Sequence, residues 1–379
     1  MRNSTGSNTL AAIAITLLAA FGAQAATVRT GDTINGIPVI SKLDISDLEA
    51  GKKNEFYFQG VQMGTGQHWY VPIVVAKGVK AGRRIVLVAG VHGDEVSPVD
   101  AVQRKMAQLN PATMSGTVFA VYDTSRPAKE FVQRQWPSPH EGGTLINMNR
   151  VWPGNAEGNS PPARQAGLMW KGLFQPNTDI ALDFHTAATG GDFTAFIFAD
   201  LQKPDVRTMA ELYPIEQIKN DLGYGGTLET AFVEAGIPSL TIEIGGPRYY
   251  DKRIIPLFVE GTMNVLKYHK VVDGTMGRTS KEAGTFFGNA MSTIRATNGG
   301  FLELLVDLRA KVVPGQTVAI QRNSFGHIVE EYKSTVGGEV ATIQRDAMIE
   351  PGTRVMQILY TSADPKCEGS GCYEQGDDY

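Results

Sequence analysis

Four short segments of this sequence carry residue types that can hold a divalent metal, activate water and grip a carboxylate. The first, Val86-Leu87-Val88-Ala89-Gly90-Val91-His92-Gly93-Asp94-Glu95, runs from an apolar stretch into a Gly-flanked His-x-x-Glu. Glycines at 90 and 93 permit a tight turn without a Cβ penalty, so an imidazole and a carboxylate three residues apart can converge on one ion. The second, Ala181-Leu182-Asp183-Phe184-His185-Thr186, ends another apolar stretch in a histidine. Alternation along a strand puts Asp183 and His185 on one face, where the acid can orient the imidazole as carboxylates do behind metal-bound histidines. Two histidines and one carboxylate leave a fourth tetrahedral position open for water, which distinguishes a catalytic zinc from a structural one.

The third segment, Pro238-Ser239-Leu240-Thr241-Ile242-Glu243-Ile244-Gly245-Gly246, interrupts an apolar run with a glutamate just before paired glycines. An uncompensated buried acid is costly. Beside a metal, Glu243 becomes a general base that takes a proton from the attacking water and passes it to a leaving amine. The fourth, Ile146-Asn147-Met148-Asn149-Arg150-Val151-Trp152-Pro153-Gly154, offers Arg150, whose fork matches a carboxylate bidentately, beside the donor and acceptor of Asn149. Each segment alone has a plainer reading: a loop histidine bonded to a nearby acid, a salt-bridged strand-end glutamate, a surface arginine. Their company favours chemistry.

The elements that must position these residues follow two grammars. From about 45 to 275, β-branched apolar runs at 84–89, 117–122, 179–184 and 239–244 alternate with helical patterns and Gly-rich loops. Short continuous apolar runs suit strands covered on both faces. Helical spacing over Ser97 to Gln108 and Pro162 to Leu173, with Pro near each start, completes an α/β layered domain. After about 285 the helical patterns stop, and short alternating segments with turn signals indicate a small all-β module. Its two Pro-Gly turns, at 314–315 and 351–352, each lead into an alternating strand and hint at a duplicated hairpin.

Residues 1–25 carry Arg2, an apolar run from Leu10 to Phe21 and an A-x-A site at Ala23-Gln24-Ala25, which reads as a secretory signal. The run is 12 residues long, short of the roughly 20 needed to span a bilayer. The mature chain then starts near Ala26 and inserts in no membrane, and its place is the periplasm or the medium outside. Removing the signal leaves 34 basic against 39 acidic residues, a mild balance without basic runs that argues against nucleic-acid and membrane-surface partners. The only cysteines, Cys367 and Cys372, sit in a polar, Gly-rich tail, and in an exported protein such a close pair forms a local disulfide that does not staple the fold.

Taken together, His92-Gly93-Asp94-Glu95, Asn147 to Gly154, Asp183-Phe184-His185-Thr186-Ala187 and Thr241 to Gly245 resemble, in their order, the zinc carboxypeptidase-like hydrolases of the succinylglutamate desuccinylase and aspartoacylase branch. The resemblance covers roughly residues 80–250. It implies a mixed-sheet α/β/α hydrolase domain over 26–280, a small all-β, barrel-sandwich-like domain over 285–361 and a polar tail over 362–379. It implies one zinc per chain on His92, Glu95 and His185, water attack promoted by Glu243, and a substrate carboxylate held by Asn149 and Arg150. A further arginine of that family polarises the scissile carbonyl; Arg134 occupies the comparable place, although Arg126-Pro127 stands where the family has Asn-Pro. The β module also resembles biotin- and lipoyl-carrier domains, but no Met-Lys-Met occurs in the chain.

The expectation is hydrolysis of an amide bond in a small carboxylate-bearing molecule such as an N-acyl amino acid. A metallocarboxypeptidase acting on short or cell-wall peptides is the alternative, and the export signal favours it. A non-catalytic binding protein has no need for a base beside an open metal position. The sequence leaves the oligomeric state unassigned. Arg248 is open to either a substrate or a structural role, and Trp152, Phe193, Phe196 and Phe198 read as core and pocket wall. His140 falls in a Ser, Pro and Gly-rich loop, and Arg164 heads a helix.

Overall fold

The computed structural model describes residues 26–139, 143–367, 369 and 371–373. The signal-like segment 1–25 and His140 lie outside the described residues. The apolar runs identified above become neighbours in an eleven-stranded mixed sheet. Its strands are β1 (Val28–Ile34), β2 (Ile37–Lys42), β3 (Lys52–Gln62), β4 (His68–Lys77), β5 (Lys80–Ala89) and β6 (Ser115–Val121), then β7 (Ile180–His185), β8 (Ala195–Ala199), β9 (Gln217–Asn220), β10 (Ser239–Ile244) and β11 (Phe286–Gly288). Across the sheet they lie in the order β1-β2-β3-β4-β6-β5-β7-β10-β8-β9-β11.

The centre of the sheet is parallel: β6 with β5, β5 with β7, and β7 with β10. Buried on both faces, these strands alternate between two cores. Ile85, Leu87, Leu182, Phe184 and Ile242 face one layer, which holds α1 (Val96–Gln108) and the long helix near residue 260. Val86, Val88 and Ala181 face the other, built from α2 (Pro161–Met169), its continuation Trp170–Phe174, and α3 (Leu228–Glu234). Helix and sheet periodicities agree in this way because each helix buries one stripe. In α1 that stripe is Ala101, Val102, Lys105 and Met106, so a lysine shares it. The long helix, α4 (Ile255–Tyr268), carries Pro256 in its first turn, and α2 begins on Pro161 and Pro162 with Ser160 capping the Ala163 N–H. Proline there loses no helical hydrogen bond.

The expected all-β region is present. One sheet holds Ala290–Arg295, Gly338–Gln344 and Arg354–Tyr360; another holds Gly300–Leu304, Thr317–Arg322, Ile328–Lys333 and Met348–Ile349. Both contribute to one core of Leu302, Val318, Tyr332, Val340, Val355 and Ile358. The strands after the two Pro-Gly turns fall in different sheets.

Two segments cross between the regions. Gly191–Phe193 leaves the hydrolase-like part to pair antiparallel with Thr342–Gln344, and β11 joins the large sheet beside β9. The cysteine-bearing stretch, polar in composition, also docks. Cys372–Tyr373 runs parallel to Ala290–Met291, and Cys367 is disulfide-bonded to Cys372. Backbone pairing requires no apolar side chain, which is why composition gave no sign of it. Among the described residues, no helix is long and apolar enough to cross a membrane.

Candidate metal centre and active-site cleft

The parallel register of β5, β7 and β10 brings three carboxyl ends to one edge of the sheet. Val88 lies opposite Asp183, and His185 opposite Glu243. Crevices outside the carboxyl ends of strands are where open α/β sheets bind ligands. Beyond β5 the chain turns through Gly90, which adopts φ +75°. A Cβ on Gly93 would lie 2.0 Å from the carbonyl carbon of Ala128, so only glycine lets the His92 turn pack against that backbone. Glu95 then stands at the start of α1.

His92, Glu95 and His185 are all buried, and their ligand atoms lie within 4.8 Å of one another. His92 Nδ1 is 2.8 Å from Glu95 Oε1, and His185 Nδ1 is 3.0 Å from Glu95 Oε2. The opposite ring nitrogens are also held. His92 Nε2 donates to Asn147 Oδ1 at 3.0 Å, and His185 Nε2 donates to Asp183 Oδ2 at 2.9 Å. Each imidazole thus turns its Nδ1 toward Glu95 while an oxygen acceptor holds its Nε2, the orientation that places both Nδ1 atoms and the Glu95 carboxylate around one point where a metal could sit.

The electrostatics favour a cation in this position. Burial acts to raise the Glu95 carboxyl, but the two imidazoles and their hydrogen bonds outweigh it and hold the group well below the usual carboxylate range. Burial, then Arg134, pulls His92 down to about 4. His185 goes the other way: against burial, Asp183 and Glu95 hold it well above an ordinary imidazole. The donor set, two imidazoles and a carboxylate, fits a divalent ion with a coordination position to spare.

Glu243 completes the edge. It is buried, and its Oε2 meets no hydrogen-bond partner. Burial pushes its carboxyl up to about 8, against a smaller pull from His185. Arg134 donates from Nη1 to Glu95 Oε1 at 2.7 Å. Glu243 and Arg134, with His92, His185, Asn149 and Arg150, line a cleft that opens to solvent. All seven residues singled out from the sequence are thus brought together, at the triad or on the cleft wall.

Residues 81–269 match the succinylglutamate desuccinylase/aspartoacylase catalytic domain. They form a domain of that family. The match spans the triad, Glu243, Arg134 and the Asn149-Arg150 pair. A curated relative, the N-alpha-acetyl-L-2,4-diaminobutyric acid deacetylase of Halomonas elongata, is 24% identical over 299 residues, covering 76% of this chain and 85% of its own. Among solved structures, a succinylglutamate desuccinylase/aspartoacylase from Rhodobacter sphaeroides superposes with a TM-score of 0.71 at 21% identity, covering 84% of this chain and 97% of that one. The product-bound ectoine utilization protein EutE (DoeB) of Ruegeria pomeroyi gives 0.72 at 22% identity, over 83% and 98%. At these identities the structural likeness establishes the fold: a large mixed sheet with antiparallel β sheets following it.

Within this desuccinylase/aspartoacylase domain, some residues do more than the sequence suggested. Asn147 orients His92 and also accepts the Asn149 N–H at 2.9 Å; a residue inside the Asn-Met-Asn-Arg motif was the available clue, but Asn149 took the attention. Asn149 directs its Oδ1 to the Leu228 N–H at 2.9 Å, tying the motif to the start of α3. Arg150 lies over the Tyr224 ring, 5.0 Å from its centroid, a cation–π contact. Arg248 is exposed, outside the cleft lining, and its N–H donates to the Asp94 carbonyl. Trp152 is core, and Phe193, Phe196 and Phe198 stack on one another with Phe198 reaching the cleft. Arg164 bonds the Gly158 carbonyl.

Proposed function

We propose that this protein is a zinc-dependent hydrolase that cleaves the amide bond of a small N-acyl amino acid bearing a free carboxylate. The observation that carries this is Glu243, a buried carboxylate with an unpartnered oxygen, set in register beside a His-Glu-His triad at the rim of a cleft that also holds two arginines. Zinc held by His92, Glu95 and His185 would supply a Lewis acid and lower the pKa of the attacking water. Glu243 takes one proton from that water as its oxygen bonds to the carbonyl carbon. It then gives the proton to the leaving nitrogen as the C–N bond breaks, which yields an amine and a carboxylic acid; the acid's remaining proton passes to the amine, leaving a carboxylate and an ammonium. Arg134 donates to the carbonyl oxygen as negative charge develops there, and Arg150 with Asn149 holds the substrate carboxylate.

The deacetylase relative, named for an N-acetylated amino acid, supports this substrate class. The signal-like sequence at 1–25 supports export, with the periplasm as destination. That same segment favours a second reading, a carboxypeptidase acting on short or cell-wall peptides. The purified mature chain should contain about one zinc per chain by metal analysis. Its release of amine should be scored over N-acyl amino acids, dipeptides and murein fragments. Activity confined to peptides sinks the deacylase reading, and binding without turnover across the set sinks both.

A further inference from the structure

The cleft carries a charge pattern that the triad and the carboxylate grip leave unused. Its wall includes Arg134 and Arg150, but also two acids, Asp221 just after β9 and Glu229 in the first turn of α3. Glu229 is 5% exposed, so it is nearly removed from water although it lines the cleft. Its Oε2 accepts the Thr230 hydroxyl at 2.9 Å, while Oε1 meets no donor among the described residues. The Thr230 oxygen in turn accepts the Tyr224 N–H at 3.0 Å, which leaves the hydroxyl proton for Glu229.

The charges that act most strongly on Glu229 have the wrong sign for a structural ion pair: Asp221, Asp183 and Asp200. Lys219, two residues before Asp221, is paired with it at 2.5 Å, and no ion pair to Glu229 is seen among the described residues. Burial first, and then these acids, push the Glu229 carboxyl up to about 8. A buried acid held among acids stays protonated at neutral pH until a cation arrives to pair with its ionised form. In a cleft, a ligand can bring that charge.

We propose that Glu229, with Asp221 beside it in the cleft wall, forms a subsite for an ammonium group, so that the preferred substrates carry a free amine besides the scissile amide and the carboxylate. This rests on the hydrolase reading above and narrows it. Two molecules present that chemistry: an Nα-acylated diamino acid, through its side-chain amine, and a dipeptide, through its free α-amine. Oε1 of Glu229 is the acceptor that such an ammonium meets, and desolvation in the cleft strengthens the contact.

The test uses the zinc-loaded mature chain and matched substrate pairs differing only at the amine: Nα-acetyl-2,4-diaminobutyrate against Nα-acetylnorvaline, and glycylleucine against acetylleucine. One pair should favour its amine-bearing member by about 10- to 100-fold in kcat/KM, the worth of one hydrogen bond to a charged group. Preference in the first pair identifies a diamino acid, and in the second a dipeptide. Glu229→Gln should collapse that ratio at least tenfold, whereas a Glu229 that merely serves the first turn of α3 leaves it unmoved. Turnover of both pairs with ratios near one overturns the ammonium subsite and leaves the hydrolase reading standing. Should none of the four be cleaved, the wider substrate panel above decides the hydrolase reading, and calorimetric titration of the wild-type protein with 2,4-diaminobutyrate and norvaline decides the subsite by itself. Tighter binding of the diamino acid supports it, and equal affinity overturns it.

Discussion

Replacing Glu243 with glutamine keeps the shape of the side chain and removes its ability to carry a proton between water and the leaving amine. General acid–base catalysis contributes about 10²–10⁴-fold, so kcat should fall by that factor, or about 3–5.5 kcal/mol at 1.36 kcal/mol per decade. The structure indicates that little else changes. Glu243 Oε2 makes no hydrogen bond that the amide would break, and Glu243 is outside the His92, Glu95 and His185 set. Metal content should stay near one per chain, and the thermal midpoint should not fall. Steady-state amine release, metal analysis and a thermal melt on the same preparation read all three. A Glu243→Gln variant that retains zinc and turns over within threefold of wild type would refute the assignment of the base, whatever the substrate. Loss of zinc together with activity would show instead that Glu243 holds the site together.

Asp183→Asn removes the carboxylate that accepts from His185 Nε2, and metal affinity measured by competition with a chelator should drop about 10- to 100-fold; unchanged affinity would remove Asp183 from that role. Arg150→Ala should raise KM by about 10- to 100-fold for a carboxylate-bearing substrate, with a smaller effect on the corresponding amide; equal effects on the two would show that Arg150 acts through its contact with Tyr224. Lys105 is 1% exposed, and burial, followed by Lys267, pulls it from 10.5 down to about 7. The folded protein then binds fewer protons than the unfolded chain between those two values, so its stability rises with pH across that window. Lys105→Met should therefore be the more stable protein at pH 6 by a few kcal/mol, at about 1.36 kcal/mol per pKa unit, with the gap closing toward pH 10 in denaturant titrations; a variant less stable at pH 6 contradicts the penalty.

What the sequence made legible depended on local grammar. The strands around Val86, Ala181 and Leu240 could be read because their apolar runs are continuous, and His92, His185 and Glu243 because each stands where such a run meets a turn. The pairing of β7 with β10, which sets His185 beside Glu243, could not be read, since register is decided by residues far apart in the chain. Asn147 was visible as part of a motif, but its hydrogen bond to His92 links residues 55 apart. Glu229 carried no signal at all: an acid in the first turn of a helix is ordinary, and only the fold reveals that Asp221, Asp183 and Asp200 surround it. The docking of Cys372–Tyr373 rests on backbone groups, which every residue possesses.

The short strand Gly191–Phe193 follows His185 by only a few residues, yet its partner strand lies some 150 residues further along the chain. Phe193 and Phe196 pack with Met291, Ala341 and Leu359, which also belong to the later part of the chain. The segment between β7 and β8, tied to the large-sheet region through Gly245 and Asp94, therefore draws its remaining partners from strands more than a hundred residues away in the chain. Chains truncated before those strands should be more open to proteolysis at the 187–194 segment than the full chain, because part of what holds it lies in the later β sheets.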